Sequence, residues 1–252
     1  MTGTVLSALE FDVLWENEKL PPPHPALRVP SPGRTHTERR TLVARAWESL
    51  GERGLARGTR PAGDLVDQLN LLARPKVSID TWVWTDREIK ALAVSIGRQA
   101  LLAVVDNGEV WLIPARDTSL PSSAVSVAGE LHAGVGHSVS VPHDVLRAAD
   151  ADAKGEPQAL VTALSDRGVE LWQAQELAGM LVGMRARGQF GVERLGRDGT
   201  MHRAGRVIAF YDTDAGRYLV QVDGGDGRDW ATVAPADNQL LATRIWELLD
   251  EV

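Results

Sequence analysis

Histidine is a common metal ligand, and the chain has six histidines. They are His24, His36, His132, His137, His143 and His202. No two lie four residues apart, the spacing that places two imidazoles on one helix face to bind zinc. Because the chain has no cysteine, cysteine-ligated metal sites and thiol catalysis are excluded as well. We predict no metal site and no cofactor.

Three glycine-rich segments resemble ligand-binding loops but lack parts of the pattern. Gly134–Ser138 begins like a phosphate loop, yet it has no third glycine, and a strand pattern follows where a helix should begin. Asp212–Gly216 and Asp223–Gly227 are acidic, but no later glutamate stands where a calcium loop needs one. A turn and two hairpin loops are the better interpretations.

A frame for covalent or acid–base catalysis is also missing from the sequence. We find no nucleophile elbow, no Ser-Lys pair and no close carboxylate pair on a recognisable frame. The net charge of −7 argues against sequence-independent binding of nucleic acid, which needs basic patches. We therefore predict that the protein is not an enzyme. The open alternative is an enzyme whose site is assembled only in the fold.

Amphipathic patterns predict the helices that would position a binding site. Apolar residues recur at helical spacing over Thr37–Arg53, and a second helix is predicted over Gly63–Ala73. In the second half, helices are predicted over Leu171–Arg185 and Pro235–Leu249. The prolines from Pro21 to Pro32 predict a stiff surface connection instead of regular structure.

Alternating or continuously apolar segments predict strands after the helices of each half. They cover residues 76–84, 90–96, 100–105 and 110–113, and then 189–195, 205–211, 217–222 and 229–233. Short turns join these segments, so we expect mostly antiparallel pairing.

The order strand, short helix, two helices, four strands, helix occurs twice along the chain. Three local matches support an overlay of the halves. Leu50–Leu55 resembles Leu164–Val169, Phe11–Leu14 resembles His143–Leu146, and Trp111–Ala115 resembles Trp230–Ala236. A single long repeat of this kind indicates duplication of a subdomain.

The repeat predicts the fold class and the domain organisation. We expect an α+β protein with a pseudo-twofold internal duplication, made of an N-terminal half over residues 1–134 and a C-terminal half over residues 135–252. The two halves would form one compact two-subdomain unit. With 252 residues, of which 44% are hydrophobic, the chain is long enough to bury a core without disulfides.

Two of the eight tryptophans lie on one predicted strand. Trp82 and Trp84 are two residues apart and therefore share one face of the sheet. Tryptophan is enriched at interface hot spots, so this face is predicted to bind a protein partner. The open alternative is that these side chains line the core.

The corresponding region of the second half covers residues 190–203. Apolar and basic residues alternate on one side of its strand, and a turn rich in basic groups follows. An apolar sheet face with a charged rim is the usual anatomy of a protein interface, and an exposed hairpin tip is the alternative. The predicted partner-binding residues here are Phe190, Val192, Arg194, Arg197, His202 and Arg203.

Segments along nearly the whole chain carry a resemblance to a known family. They include Phe11–Glu16, Leu50–Leu55, Arg187–Gly191, Gly216–Leu219 and Trp230–Pro235. In their order and spacing the chain resembles the EspG family, the secretion-associated chaperones of mycobacterial and actinobacterial type VII secretion systems. No single segment is a signature of the family.

The resemblance implies a central twisted antiparallel sheet flanked by two helical bundles with quasi-twofold symmetry. It also implies a chaperone that holds the helical tip of the PPE subunit of a PE–PPE heterodimer in the cytosol, without ATP, and selects it for export. The family uses the central sheet and the C-terminal helical bundle for contact. The matching regions here are the strand with Trp82 and Trp84 and the hairpin Phe190–Arg203. The Pro-rich insertion leaves a different helical substrate open.

The remaining expectations concern location and assembly. The residues from Met1 to Leu6 show no signal-peptide pattern, and the longest aliphatic run, Ala100–Val105, is too short to cross a bilayer. We predict a cytoplasmic protein without membrane insertion that is a monomer or weak homodimer. A scaffold or dimerisation module without a client is the third open interpretation.

Overall fold

The computed structural model describes residues 3–225 and 227–252. Met1, Thr2 and Asp226, the last from the predicted acidic loop, lie outside the described residues. The chain divides into two units: the first holds Met1–Trp82, Glu88–Val127 and Glu193–His202, and the second holds Val83–Arg87, Ala128–Val192 and Arg203–Val252. The boundary of the repeats at residue 134 stays a prediction.

The first unit contains four of the α-helices found among the described residues. They are α1 (Ala8–Asn17), α2 (His36–Glu52), α3 (Gly63–Ala73) and α4 (Leu120–Val125). The strands that begin in this unit before residue 128 are β1 (Thr4–Ser7), β2 (Ala56–Arg57), β3 (Arg60–Pro61), β4 (Val77–Trp84), β5 (Glu88–Ile96), β6 (Gln99–Asp106) and β7 (Glu109–Ala115). The predicted helices over residues 37–53 and 63–73 are confirmed.

The second half of the chain repeats this series. Its helices are α5 (His143–Ala153), α6 (Pro157–Ser165), α7 (Leu171–Leu181) and α8 (Asn238–Leu249). Its strands are β8 (Val139–Pro142), β9 (Met184–Leu195), β10 (Met201–Arg203), β11 (Ile208–Thr213), β12 (Gly216–Gly225) and β13 (Arg228–Pro235).

Strand pairing shows the duplication directly. The hydrogen-bonded order is β1-β7-β6-β5-β4 in the first half and β8-β13-β12-β11-β9 in the second, so each strand in one order has a counterpart in the other. All pairs of neighbouring strands with a described register are antiparallel. The predicted α+β class, antiparallel pairing and internal duplication are confirmed.

The ends of α2 and α6 have the same backbone hydrogen bond. The amide of Leu55 donates to the carbonyl of Leu50 at 2.8 Å, and the amide of Val169 donates to that of Leu164 at 3.1 Å. The intervening glycine, at position 54 or 168, has a φ of 71° or 85°. A positive φ favours glycine at the end of a helix, which explains the shared sequence.

The match of Phe11–Leu14 with His143–Leu146 was wrong by three residues. Phe11 is the fourth residue of α1, whereas His143 is the first residue of α5. Both helices follow a four-residue strand, so Phe11 corresponds to Leu146 and the buried Leu14 to the buried Ala149. A shift of three residues keeps a helical pattern nearly in phase, so the sequence alone did not reveal the error.

Each unit has its own apolar core between its helical bundle and one face of its sheet. In the first unit, Leu14, Leu50 and Leu69 of α1–α3 pack with Leu92 and Leu101 of the sheet. The Pro-rich connection contributes too, because Ala26 and Leu27 of its short 3-10 helix are fully buried. The prediction of a surface connection was therefore wrong at these two residues.

The core of the second unit is built from the corresponding elements. Leu164 of α6 and Leu177 of α7 pack with Tyr218 and Val233 of the sheet. The hydroxyl of Tyr218 donates to the carbonyl of Val135 at 2.9 Å and accepts from its amide at 3.0 Å. These two hydrogen bonds hold the predicted glycine-rich turn against the sheet.

Arg217 is a buried, hydrogen-bonded residue of Gly216–Leu219, one of the segments that carry the family resemblance. Its side chain is wholly buried, and its guanidinium donates to both Asp212 carboxylate oxygens at 2.6 and 2.8 Å. It also donates to the carbonyls of Ala128 and Gly129 and to the Asn238 side chain. A buried guanidinium is tolerated only when it is paired and hydrogen-bonded in this way. Arg217 thus connects the backbone of Ala128 and Gly129 to Asn238 at the start of α8.

Candidate protein-binding surface

Trp82 and Trp84 lie on one face of β4, as predicted, and both are partly buried. Val83 between them points to the other side and is 3% exposed. In the first unit, the indole nitrogen of Trp82 donates to Asp80 at 3.0 Å, and the Lys90 ammonium lies 5.9 Å from the ring centre. Polar partners on this face show that it is not part of the apolar core.

In the second unit, Trp84 begins a row of side chains that crosses neighbouring strands. The Arg187 guanidinium lies 5.5 Å from the centre of the Trp84 ring, a cation–π distance. Arg187 of β9 is directly opposite Tyr211 of β11. We call Trp84, Arg187 and Tyr211 the aromatic strip.

Electrostatics connect the aromatic strip to α5. Burial raises the pKa of Tyr211 above its ordinary value of 10.0, and the Asp150 carboxylate raises it further. The Arg187 guanidinium acts in the opposite direction. Asp150 of α5 and Arg187 of the strip thus act on the same phenol in opposite directions.

A groove at the end of the helical bundle also contains Asp150. This bundle groove has a volume of about 480 Å³. It is lined by Asp150, Ala153, Gly155, Glu156, Pro157, Leu160, Ala178, Leu181, Val182, Gly183 and Met184. Val182 is 52% exposed and Met184 44%. Large exposed apolar side chains beside a concave surface are typical of a binding site.

Backbone geometry at the end of α7 opens the groove. Val182 has extended angles and Gly183 has a φ of 71°, so α7 stops at Leu181 and β9 begins at Met184. The positive φ favours glycine at position 183, and a Cβ there would also lie 2.9 Å from an Asp214 carboxylate oxygen. The predicted helix over Leu171–Arg185 was wrong from residue 182 onward.

Phe190 and Val192 do not belong to a binding surface. Both are 0% exposed, and the Phe190 ring stacks on Phe210 with the ring centres 5.6 Å apart. They lie on the opposite side of β9 from Arg187, since odd and even residues of a strand face opposite ways. As core residues they cannot contact a partner, which corrects their predicted role.

The predicted basic residues occupy the hairpin of β9 and β10. Arg194 is partly buried, whereas Arg197, His202 and Arg203 are exposed. The Asp198 carboxylate accepts from the Thr200 hydroxyl at 2.7 Å and lies 3.1 Å from Nε2 of His202. Hydrogen bonds from Thr200, joined by the one to His202, hold the pKa of Asp198 well below its usual range.

This network makes the hairpin tip less basic than its sequence indicates. His202 is paired with Asp198 of the same turn. The tip therefore presents Arg197 as a basic group but does not form a continuous basic rim. The structure groups Trp82, Arg194, Arg197 and His202 with the first unit, and Trp84, Phe190, Val192 and Arg203 with the second. Their role in partner binding stays a prediction for the exposed members of the set.

A second cavity, of about 460 Å³, lies beneath the Pro-rich connection in the first unit. Three of its charged residues are engaged with one another, because Arg39 donates to Asp12 at 2.7 Å and is also paired with Glu16. Burial lowers the pKa of Arg39, but these carboxylates outweigh it and the net shift is upward. Among the described residues, no cluster of three or more acidic or histidine side chains has the arrangement of a metal site.

Sequence and structure comparisons agree on the relatives. The model of the EspG family matches residues 7–247. A solved structure, that of the Mycobacterium tuberculosis type VII secretion system chaperone EspG5 in complex with the PE25–PPE41 dimer, is similar with a TM-score of 0.78. At 14% identity, the alignment covers 99% of this chain and 96% of that one, which shows a shared fold. No curated protein matches in sequence.

The helices were also compared with the dimensions of a bilayer. None of those within residues 3–225 and 227–252 combines the length and the apolar character that crossing a membrane requires.

Proposed function

Because this chain belongs to the EspG family, we propose that it is an ATP-independent cytosolic chaperone for PE–PPE-type substrates of a type VII secretion system. It binds the helical tip of the substrate, keeps the substrate soluble and selects it for export. The bundle groove in the second unit, with Val182 and Met184 exposed at its edge, is the observation that carries this proposal. The similar fold of EspG5, which was solved with a PE25–PPE41 dimer, supports it.

Shielding of apolar surface explains how such a protein works without a cofactor. An exposed amphipathic tip gains about 25 cal/mol for each Å² of apolar surface that it buries, less the cost of ordering the interface. The bundle groove offers apolar side chains from α6, α7 and the segment that follows α7. The aromatic strip beside it adds a partly buried tryptophan, the residue type most often found at interface hot spots.

Two other interpretations make different demands on the surface. An enzyme needs convergent titratable groups in a polar pocket. The cavity under the Pro-rich connection instead holds an arginine already paired with two carboxylates. A scaffold without a client does not need an apolar groove that stays open in the single chain. These observations favour the chaperone.

Co-expression tests the proposal. The full chain is produced with each PE–PPE heterodimer encoded in its host genome, and a stable soluble complex is the expected result. Val182→Asp should abolish the complex, because it places a carboxylate on the apolar groove. Val135→Asp is the matched control, since Val135 is 73% exposed and does not line the groove. Failure with all heterodimers, or equal loss with both variants, contradicts the proposal.

A further inference from the structure

The ionisable residues that line the bundle groove are of one sign. Among its described lining residues, the only ionisable side chains are Asp150 near the end of α5 and Glu156 before α6. Both are exposed. Within the described part of the chain, neither carboxylate forms an ion pair. The groove therefore combines an apolar floor with two unneutralised acidic groups at its edge.

Two neighbouring arginines are engaged with other carboxylates. Arg185, next to Met184, is paired with Asp214, and Arg167 is paired with Asp152. Lys154 lies in the loop between α5 and α6 but is absent from the lining of the groove. The exposed acids are thus available to a charged partner.

We infer that the substrate tip bound in this groove carries a basic side chain next to its apolar residues. This inference rests on the proposed function and specifies the chemistry of its client. An apolar tip fills the part of the groove formed by Leu160, Leu181 and Met184, while a lysine or arginine about one helical turn away meets Asp150 or Glu156. Such pairing contributes modestly to affinity and strongly to the choice between partners, because a like charge in the same place is repelled.

Three synthetic helical hairpins test the sign of the charge. They share one leucine-rich tip and differ only in its two flanking residues, which are Lys, Gln or Glu. Binding to the full chain is measured by fluorescence anisotropy at low and at physiological salt. The lysine hairpin should bind about tenfold more tightly than the glutamate hairpin, with the glutamine hairpin between them. The difference should shrink as salt rises.

Charge reversal on the protein provides the second arm. The double variant Asp150→Lys with Glu156→Lys should invert the order of the three hairpins. The control variant, Asp166→Lys with Glu170→Lys, makes the same change in net charge at two exposed residues outside the groove. Glu156 and Glu170 also match in position, since each precedes a helix and makes no side-chain capping hydrogen bond. The control should keep the original order.

The outcomes separate this inference from the proposed function. Equal affinity for the three hairpins, preference for the glutamate hairpin, or no binding of any hairpin overturns the inference. If the reversed variant unfolds, Asp150→Asn with Glu156→Gln replaces it and should remove the preference without inverting it. The proposed function is judged on its own by the PE–PPE complexes, so a complex that forms regardless of tip charge contradicts only the inference.

Discussion

The guanidinium group of Arg187 lies over the ring of Trp84, 5.5 Å from its centre, within the second unit. This contact joins two strands and holds the partly buried indole of Trp84 in place. If the aromatic strip is part of the interface, Trp84→Ala should weaken substrate binding about tenfold, the loss expected at a hot spot. Isothermal titration with a purified PE–PPE heterodimer measures the effect.

Trp111 provides the control for this measurement. It is 43% exposed on β7 of the first unit and belongs to neither the strip nor the groove. Trp111→Ala should leave the affinity within about twofold. Equal losses for the two variants would remove the aromatic strip from the proposed interface.

Phe190 provides a prediction of the opposite kind. Its ring is fully buried against Phe210, so Phe190→Ala should lower the free energy of unfolding by about 3–5 kcal/mol. Chemical denaturation measures this loss. The folded fraction should bind substrate as the unchanged protein does, because the side chain never reaches the surface. If the Phe190→Ala protein is stable but no longer binds substrate, Phe190 is part of the interface and the prediction is wrong.

The titration of Tyr211 tests the link between the aromatic strip and the groove. Asp150→Asn should lower the pKa of Tyr211, because the carboxylate disfavours the phenolate. Arg187→Gln should raise it, because the guanidinium favours the phenolate. Phenolate absorbance reports the titration, in a Tyr218→Phe background, because Tyr218 is the other tyrosine of the chain. No shift in either variant would show that Asp150 and Arg187 do not flank this phenol.

The same pKa sets a dependence of stability on pH. Since the pKa of Tyr211 is raised in the folded protein, the folded state favours the neutral phenol. Its contribution is fully present below the ordinary value of 10.0 and is lost as the pH rises through the higher folded value. Tyr211→Phe should remove this alkaline loss, which thermal denaturation at a series of pH values detects.

The duplication predicts equal behaviour of two glycines. Gly54→Ala and Gly168→Ala should each destabilise the protein by about 1 kcal/mol, because both residues have positive φ at a helix end. Gly51→Ala is the internal control. Gly51 lies within α2, and a Cβ added there would meet no atom within 4 Å. The free energy of unfolding of this variant should therefore rise by about 0.5–1 kcal/mol. Stability changes of opposite sign for Gly54→Ala and Gly168→Ala would contradict the equivalence of the two helix ends.

Local patterns in the sequence predicted most of the fold. Hydrophobic periodicity located α2 and α3, and the Leu-x-x-x-Gly pattern around Gly54 and Gly168 revealed the repeated helix end. The overlay of Phe11 with His143 was wrong because helical periodicity tolerates a shift of three residues. Burial of Leu27 was not predicted, because prolines indicate that a segment lacks regular structure but do not indicate whether the segment is buried.

The binding surface was less predictable because its parts are distant in sequence. Trp84, Arg187 and Tyr211 come from three strands and meet only through strand register. Val182 and Met184 were available as a signal, since a glycine between two apolar residues can end a helix, but the apolar spacing there continued the helical pattern. Phe190 is buried by contacts with residues distant in sequence, such as Phe210 of β11, which no local pattern records.

Hydrogen–deuterium exchange of the full chain, alone and in complex with its PE–PPE substrate, tests the central claim most directly. Binding should slow exchange at the end of α5, at the end of α7 through Met184, and in β9 around Arg187. The exposed region of β7 around Trp111 should exchange equally in both states. Protection confined to the first unit, with the segment from Leu181 to Met184 unchanged, would contradict the account.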